Sequence, residues 1–237
     1  MLRLPRMAPW ACRLDHRHPP RLREVAMLEV YTAQTPNGIK VPIALEELGL
    51  PYRIVPVDLL AGAQRAPAFL ALNPNGRIPV LVDREAPGGP LCLAESGAIL
   101  LHLAETAGQL MPAGRHARAE ALHWLFLQVS SIGPVFGTLR ALSREPSGAA
   151  VAARFSDEAQ RLLALVERRL ASAPWLAGDA YSIADIACFG WLRAADYAGI
   201  GVGAAGNVAR WLDRIDARPA VQRALATLAR AIAAQAA

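Results

Sequence analysis

Two side chains at the end of a short apolar run, Thr35 and Asn37, have the chemistry to stabilise an anion. They lie in the tetrapeptide Thr-Pro-Asn-Gly, between a strand-like stretch and a helical pattern. The threonine hydroxyl and the asparagine amide can each donate a hydrogen bond to a bound anion. Neither group can itself become a nucleophilic thiolate. The same tetrapeptide is also typical of a plain turn, which remains an alternative.

A second pair, Glu95 and Ser96, lies where another helical pattern begins. The start of a helix presents free N–H groups and the positive end of its dipole, which together suit a carboxylate. The Ser96 hydroxyl adds a donor, and the Glu95 carboxylate can hold a neighbouring ammonium group. The pair matches the amino-acid end of a small peptide, although a common helix cap beside an acidic residue is the alternative.

The dipeptide Ile78-Pro79 precedes this pair and opens an apolar run. A cis bond before proline turns the backbone sharply and is rare in folded proteins. Because Glu95 and Ser96 follow it, we expect Pro79 to be cis. The backbone of Ile78 could then pair with an extended ligand as a further strand would. The alternative is a proline that only begins a strand.

These residues must be positioned by two different kinds of domain. From 27 to 108, strand and helix patterns alternate in a mixed order. The predicted strands are 28–32, 52–57, 78–83 and 91–93, and the predicted helices are 39–48, 66–72 and 96–107. After a Gly- and Pro-marked stretch at 108–116, only helical patterns occur, at 117–142, 149–170, 183–198, 207–217 and 221–234. We therefore predict an α/β domain at 27–108 and an all-helical domain at 116–237.

The long helical pattern at 117–142 contains an uncharged stretch, 121–139. It includes a histidine, a glutamine and two serines, and Gly133-Pro134 interrupts it, where we predict a kink. It is too polar and too broken to span a bilayer, so we interpret it as a buried core helix and expect no membrane association.

Most of the net charge of +5 lies in the first 26 residues, which contain six arginines and two acidic residues. The remaining chain is nearly neutral, which argues against binding of nucleic acid. The segment 1–26 lacks apolar periodicity, and a second methionine, Met27, begins the first strand pattern. We interpret 1–26 as a disordered or over-long N-terminal extension, with an Arg-rich targeting peptide as the alternative.

The three cysteines, Cys12, Cys92 and Cys188, are widely spaced and form no CxxC motif. This spacing argues against a disulfide framework, a zinc site and a dithiol redox centre. We expect no metal and a reducing, cytoplasmic environment. Cys92 and Cys188 stand in apolar runs, where a free cysteine behaves as a small apolar side chain, so we assign neither thiol to catalysis.

In their order and spacing, these segments resemble the glutathione transferase superfamily from residue 27 to about 226. The segments 73–79 and Glu95-Ser96 match its thioredoxin-like half, and a capping-box pattern at Ser182 and Asp185 matches its helical half. Within the superfamily, the segments 35–40, 46–49 and 95–100 are similar to the bacterial nu class and its fungal prion-forming relative. The resemblance implies a thioredoxin-like α/β N-terminal domain followed by an all-α C-terminal domain, the glutathione transferase fold.

The resemblance also implies glutathione as co-substrate and a role for each site residue. Most proteins of the superfamily carry a tyrosine, serine or cysteine at the catalytic turn, where this chain has Thr35 and Asn37. The implied roles are sulfur binding and catalysis for Thr35 and Asn37, and glutathione binding for Gln64, Ile78, Pro79, Glu95, Ser96 and Arg154. Gln64 would contact the glycine end of the ligand, and Arg154 would reach the site from the helical domain.

The nu-class resemblance implies a disulfide-bond oxidoreductase in which the thiolate of bound glutathione attacks a small-molecule disulfide. Conjugation of glutathione to an electrophile uses the same thiolate and is one alternative. A non-catalytic, glutathione-binding regulatory protein is the other. The resemblance further implies a homodimer.

Overall fold

The computed structural model describes residues 27–143, 149–202 and 205–236, so the interpretation of 1–26 lies outside the described residues. The strands are β1 (Leu28–Thr32), β2 (Tyr52–Pro56), β3 (Val80–Asp83) and β4 (Leu91–Ala94). The helices of the first half are α1 (Lys40–Leu48), α2 (Pro67–Leu72) and α3 (Ser96–Ala107). Those of the second half are α4 (Arg115–Leu127), α5 (Gly133–Leu142), α6 (Ala149–Ser172), α7 (Ile183–Leu192), α8 (Gly206–Asp216) and α9 (Pro219–Ala236).

The four strands form one mixed sheet in the order β2-β1-β3-β4. β1 and β2 are parallel because α1 provides the crossover between them, whereas β3 runs antiparallel to both β1 and β4. Both faces of the sheet are covered, since Leu81 packs with α1 and α3 while Val80 and Val82 pack with Phe69 of α2. This arrangement explains why β3 is a continuous apolar run, and it confirms the predicted thioredoxin-like half.

The centre of the helical half is α7, in which every residue except Trp191 is buried. Its first turn has the predicted capping box. The Ser182 side chain accepts a hydrogen bond from a backbone N–H of the first turn, and the Asp185 side chain accepts one from the Ser182 N–H. Asp185 also accepts hydrogen bonds from the Leu176 N–H and from the Trp211 indole, both at 3.0 Å. Burial raises the pKa of Asp185 to about 6, although these donors oppose the shift.

The long helix after the linker differs from its prediction in where it is interrupted. A π-helical turn, Gln128–Ile132, separates α4 from α5 and ends just before Gly133-Pro134. Proline has no N–H to donate, so the irregular turn falls in the residues that precede it. Similarly, the predicted helix 183–198 ends at Leu192 and is followed by a short 3₁₀-helix, Ala195–Ala198.

The helical stretch Arg115–Leu142 is also less buried than the expected core helix. It is long and apolar enough to cross a membrane by length and composition alone, a test that core helices of soluble proteins also pass. Only 33% of its most apolar window is buried. Phe126 and Val129 are exposed on it, so one face of this helix is open.

The two halves are packed tightly against each other. α1 packs on α9 and α7, and α3 packs on α7. At one end of α1, Arg218 pairs with Glu47 at 2.5 Å and Arg223 pairs with Glu46 at 2.8 Å. At the other end, Gly190 of α7 lies so near the carbonyl oxygen of Pro36 that an added Cβ would be 2.1 Å from it. The turn that contains Thr35 and Asn37 is therefore held from both halves.

Candidate functional site

A cavity of about 910 Å³ lies between the two halves. The thioredoxin-like half contributes the turn before α1, the 3₁₀-helix Ala63–Arg65, the loop before β3 and the start of α3. The helical half contributes the π-helical turn, α5 and Trp191. Seven of the eight site residues predicted from the sequence line this cavity: Thr35, Asn37, Gln64, Ile78, Pro79, Glu95 and Ser96.

Thr35 closes the turn before α1. Its hydroxyl oxygen accepts a hydrogen bond from the Gly38 N–H at 3.0 Å, and its carbonyl accepts one from the Ile39 N–H at 3.1 Å. Position 38 must be glycine, because a Cβ there would lie 1.9 Å from the Ala33 carbonyl oxygen. Because the Thr35 oxygen accepts this bond, the hydroxyl proton is still available for a hydrogen bond to a ligand in the cavity.

Asn37 is held in one orientation by two donors. Its Oδ1 accepts hydrogen bonds from Lys40 Nζ and from the Trp191 indole Nε1, each at 2.9 Å. An ammonium and an indole N–H can only donate, so the oxygen rather than the nitrogen of the amide must face them. The Nδ2 group is thereby left as the donor that Asn37 can offer to a ligand.

Lys40 is a site residue that the sequence analysis missed. Its side chain is fully buried, and Nζ donates a second hydrogen bond to Gln128 Oε1 at 2.7 Å. Burial lowers the pKa of Lys40 to about 7, while the charges of Cys188 and Glu95 oppose this shift. The available signal was that Lys40 is the only lysine in the chain and lies three residues after Asn37, about one helical turn away.

Glu95 and Ser96 lie at the start of α3, where the sequence predicts a ligand site. Glu95 is the residue before the helix and has a φ of 68°, a conformation that non-glycine residues rarely adopt. Ser96 is buried as the first helical residue, and the first intrahelical bond runs from the Ile99 N–H to the Glu95 carbonyl. The N–H groups that precede Ile99 in α3 have no acceptor within the helix, so this end can bind a carboxylate.

The Ile78–Pro79 peptide bond is cis, as predicted, and β3 begins only at Val80. The 3₁₀-helix that carries Gln64 also lines the cavity and lies beside this loop, since a Cβ at Gly76 would be 3.3 Å from the Gln64 carbonyl oxygen. The Gln64 Oε1 atom is buried and has no hydrogen-bond partner among the described residues. A buried carbonyl oxygen costs free energy unless it is paired, so a donor on a ligand would satisfy it.

Arg154 is the predicted site residue that the structure does not bring to the cavity. It lies near the start of α6 with an exposed side chain, whereas the neighbouring Phe155 packs against the core. Adjacent residues on a helix point about 100° apart, so the position that faces inward there belongs to Phe155.

Neither of the described cysteines lines the cavity. Cys188 is buried in α7, and burial holds the pKa of its thiol well above the usual range. Cys92, on β4, donates to the Leu72 carbonyl oxygen at 3.3 Å. Because a cysteine reacts as its thiolate, neither environment favours a nucleophile. The cavity is therefore lined by the neutral donors Thr35 and Asn37, with the buried Lys40 behind Asn37, and by neither described cysteine.

Two protein-family models match the chain. The model of the glutathione S-transferase N-terminal domain matches residues 26–105, and that of the C-terminal domain matches residues 149–214. The chain is also 43% identical over 203 residues to the disulfide-bond oxidoreductase YfcG of Escherichia coli K12, covering 84% of this chain and 94% of that protein.

Solved structures give the same result. A glutathione transferase from Burkholderia graminis, with two glutathione molecules bound per subunit, is 42% identical with a TM-score of 0.80, covering 84% of this chain and 88% of that one. One from Pseudomonas putida, with one glutathione disulfide bound per subunit, is 38% identical with a TM-score of 0.81, covering 86% and 93%. These similarities extend through both halves that enclose the cavity, and the chain belongs to the glutathione S-transferase family.

Proposed function

We propose that the protein is a glutathione-dependent disulfide-bond oxidoreductase. The observation that carries the proposal is the turn before α1, where Thr35 and Asn37 offer donors to a bound sulfur while both described cysteines lie outside the cavity. The similarity to YfcG, which is named a disulfide-bond oxidoreductase, supports this reaction. The glutathione disulfide bound to the relative from Pseudomonas putida also supports it.

In the proposed reaction, glutathione supplies the nucleophile. Its thiolate attacks one sulfur of a small-molecule disulfide, the S–S bond breaks, and the departing thiolate takes up a proton. A second glutathione then attacks the mixed disulfide, which releases the second substrate thiol and leaves glutathione disulfide. Two glutathiones are oxidised for each disulfide reduced. The protein binds the ligands and lowers the pKa of the thiol by hydrogen bonding to its anionic form.

Conjugation of glutathione to an electrophile is the second candidate, and the far wall of the cavity favours it. This wall consists mainly of small and apolar residues of the helical half, among them Pro134, Gly137, Ala141 and Leu142. Such a surface suits an apolar electrophile, which the same thiolate could attack.

Turnover of 2-hydroxyethyl disulfide, compared with turnover of 1-chloro-2,4-dinitrobenzene at the same glutathione concentration, separates the two candidates. We expect reduction of the disulfide well above the uncatalysed rate and weak conjugation. Conjugation without disulfide reduction would overturn the proposal in favour of the second candidate. Glutathione binding with neither activity would indicate a regulatory protein.

We also propose a homodimer. Leu60 is fully exposed, and on the open face of the long helix Phe126 is 61% exposed. Val129, three residues after Phe126, is exposed beside it and also lines the cavity. Exposed apolar side chains on one face, as with Phe126 and Val129, are typical of a protein interface. A second copy on this face would border the ligand site, which suits a cleft that must exclude water from a thiolate.

A further inference from the structure

A buried hydrogen-bond network lies directly behind the turn before α1, residues 35–38, which we call the sulfur-binding turn after its proposed role. Lys40 Nζ donates to Asn37 Oδ1 at 2.9 Å and to Gln128 Oε1 at 2.7 Å. Trp191 Nε1 donates to the same Asn37 oxygen at 2.9 Å. Lys40 has no exposed surface, and Gln128 is buried as well, so water does not compete for these bonds. A buried ammonium is costly unless it is paired, and the two oxygens that accept its hydrogen bonds, Asn37 Oδ1 and Gln128 Oε1, are both neutral.

The charged groups around Lys40 do not neutralise it completely. The groups near it that could carry a negative charge are Glu95, at the start of α3, and Cys188, on α7. Glu95 is exposed, and the Cys188 thiol is held neutral by burial. Arg218, which precedes α9, and Arg223, on α9, pair with glutamates at the opposite end of α1. An anion bound at the turn would therefore be attracted by the Lys40 ammonium, and few other charges would weaken that attraction.

Resting on the proposed function, we propose that Lys40 is a positioning residue for the thiolate, because its ammonium orients the Asn37 amide and places a positive charge behind the bound sulfur. The nitrogen of the amide faces the cavity only while the oxygen faces Lys40 and Trp191. A cation bonded to the carbonyl oxygen also polarises the amide, which makes Nδ2 a stronger donor.

The ionisations of Lys40 and of the bound thiol are therefore coupled. In the ligand-free site, burial lowers the pKa of Lys40 to about 7. A thiolate beside Asn37 favours the charged form of Lys40, and the charged lysine in turn favours the thiolate. Removing the charge should raise the pKa of the bound thiol, whereas a residue with a packing role alone would leave that pKa unchanged.

The test is a titration of bound glutathione in the full-length protein and in Lys40→Met. Thiolate formation is followed by its ultraviolet absorbance with the protein in excess over glutathione. We expect the pKa of the bound thiol to rise by about one to two units in the variant. Turnover with 2-hydroxyethyl disulfide should fall roughly ten-fold at pH 7 and recover as the pH passes about 8.5, the ordinary thiol pKa. KM for glutathione should change less than kcat, because Glu95 and Ser96 are unaltered.

Three further variants separate charge from packing. Lys40→Arg retains the charge and should keep the thiol pKa nearer the wild-type value than Lys40→Met does. Trp191→Phe removes the other donor to Asn37 but leaves the charge, so it should lower turnover with little change in the thiol pKa. Arg161→Met, which removes an exposed arginine paired with Glu158 on α6, is the matched control and should behave as wild type.

A folded Lys40→Met variant with the wild-type thiol pKa and pH profile would overturn the inference. If Lys40→Met does not fold, the inference stands only if Lys40→Arg keeps a low thiol pKa. The inference is also overturned if the pKa of the thiol bound to the wild type is no lower than that of free glutathione. Failure of the proposed function looks different. The wild type would then bind glutathione with a lowered thiol pKa that depends on Lys40, yet would not reduce disulfides.

Discussion

At the scale of single residues, the proposed chemistry depends on two donors that line the cavity and are held by hydrogen bonds within the protein. The Thr35 hydroxyl is aligned by the Gly38 N–H, and the Asn37 amide is aligned by Lys40 and Trp191. Ile78, Glu95 and Ser96 line the other side of the same cavity. Binding of the peptide and activation of its sulfur are thus assigned to different residues, and mutations can separate the two.

Replacement of both sulfur donors, in Thr35→Ala/Asn37→Ala, should reduce turnover more than affinity. A hydrogen bond to a charged group is worth about 1.5–3 kcal/mol, so loss of even one such bond corresponds to a roughly ten- to hundred-fold decrease in kcat. Ser96→Ala should instead raise KM for glutathione. Steady-state kinetics at saturating glutathione and neutral pH test this, and wild-type turnover in the double variant would refute the assignment.

Replacement of both described cysteines, in Cys92→Ala/Cys188→Ala, should leave disulfide reduction largely intact. The loss of packing should cost about 1 kcal/mol at each position, measured by urea unfolding. Activity is then measured below the unfolding transition. A folded but inactive double variant would mean that a protein thiol takes part in the reaction.

The buried lysine should also make stability depend on pH in the ligand-free protein. Its pKa is about 7 when folded against 10.5 as the ordinary value, so between these pH values the unfolded chain binds the additional proton. The free energy of unfolding should therefore rise with pH in this window, by at most about 1.4 kcal/mol per unit. Below pH 7 the full cost of burying the charge is present.

Urea unfolding of wild type and Lys40→Met, from pH 7 to pH 10, isolates this contribution because the other titrating groups are common to both proteins. The difference in unfolding free energy, wild type minus variant, should increase with pH. Parallel curves would show that Lys40 titrates at its ordinary pKa in the folded state.

At the scale of elements, the site was predictable wherever the signal was local. The Thr35-to-Gly38 turn and the capping box at Ser182 each depend on neighbouring residues, whereas the cis Pro79 was expected because Glu95 and Ser96 follow it; the structure contains all three. The network behind Asn37 was not predictable in this way. Gln128 lies 88 residues from Lys40, and Trp191 lies 154 residues from Asn37, so no periodic pattern links them.

Two details of the helical half could not be derived from the sequence, for the same reason. The π-helical turn at Gln128–Ile132 shifts the interruption of the long helix away from the predicted Gly133-Pro134. The side chain of Arg154 faces outward because α6 is oriented by its packing, with Phe155 turned to the core. Such features are set by contacts between elements, which a single sequence does not display.

The contact between α7 and the sulfur-binding turn should be intolerant of a methyl group. In Gly190→Ala the new Cβ would meet the Pro36 carbonyl oxygen at 2.1 Å, so helix and turn must move apart. We expect a loss of about 1–3 kcal/mol in unfolding free energy, together with reduced turnover. Gly201→Ala is the matched control, because nothing lies within 4 Å of its Cβ. Equal stability of the two variants would contradict the close packing.

At the scale of the whole molecule, the proposed dimer should depend on the exposed apolar side chains. We expect a particle of twice the chain mass of 25.3 kDa in light scattering at micromolar concentration. A charge in the interface is costly, so Leu60→Asp/Phe126→Asp should shift the protein towards monomer. Val151→Asp, which adds a carboxylate at another exposed apolar position, tests whether any added negative charge has this effect. A monomeric wild type would rule out the homodimer.

The two halves are also completed at different times during synthesis. When the first half has left the ribosome, Glu95, Ser96 and the turn at Thr35 are already present, but Gln128 and Trp191 are not yet in place. Such a nascent chain could hold glutathione, yet the amide of Asn37 would lack its indole donor and Lys40 would lack its second acceptor. On the proposed function, a bound thiol would therefore be fully activated only after translation and docking of the helical half have finished.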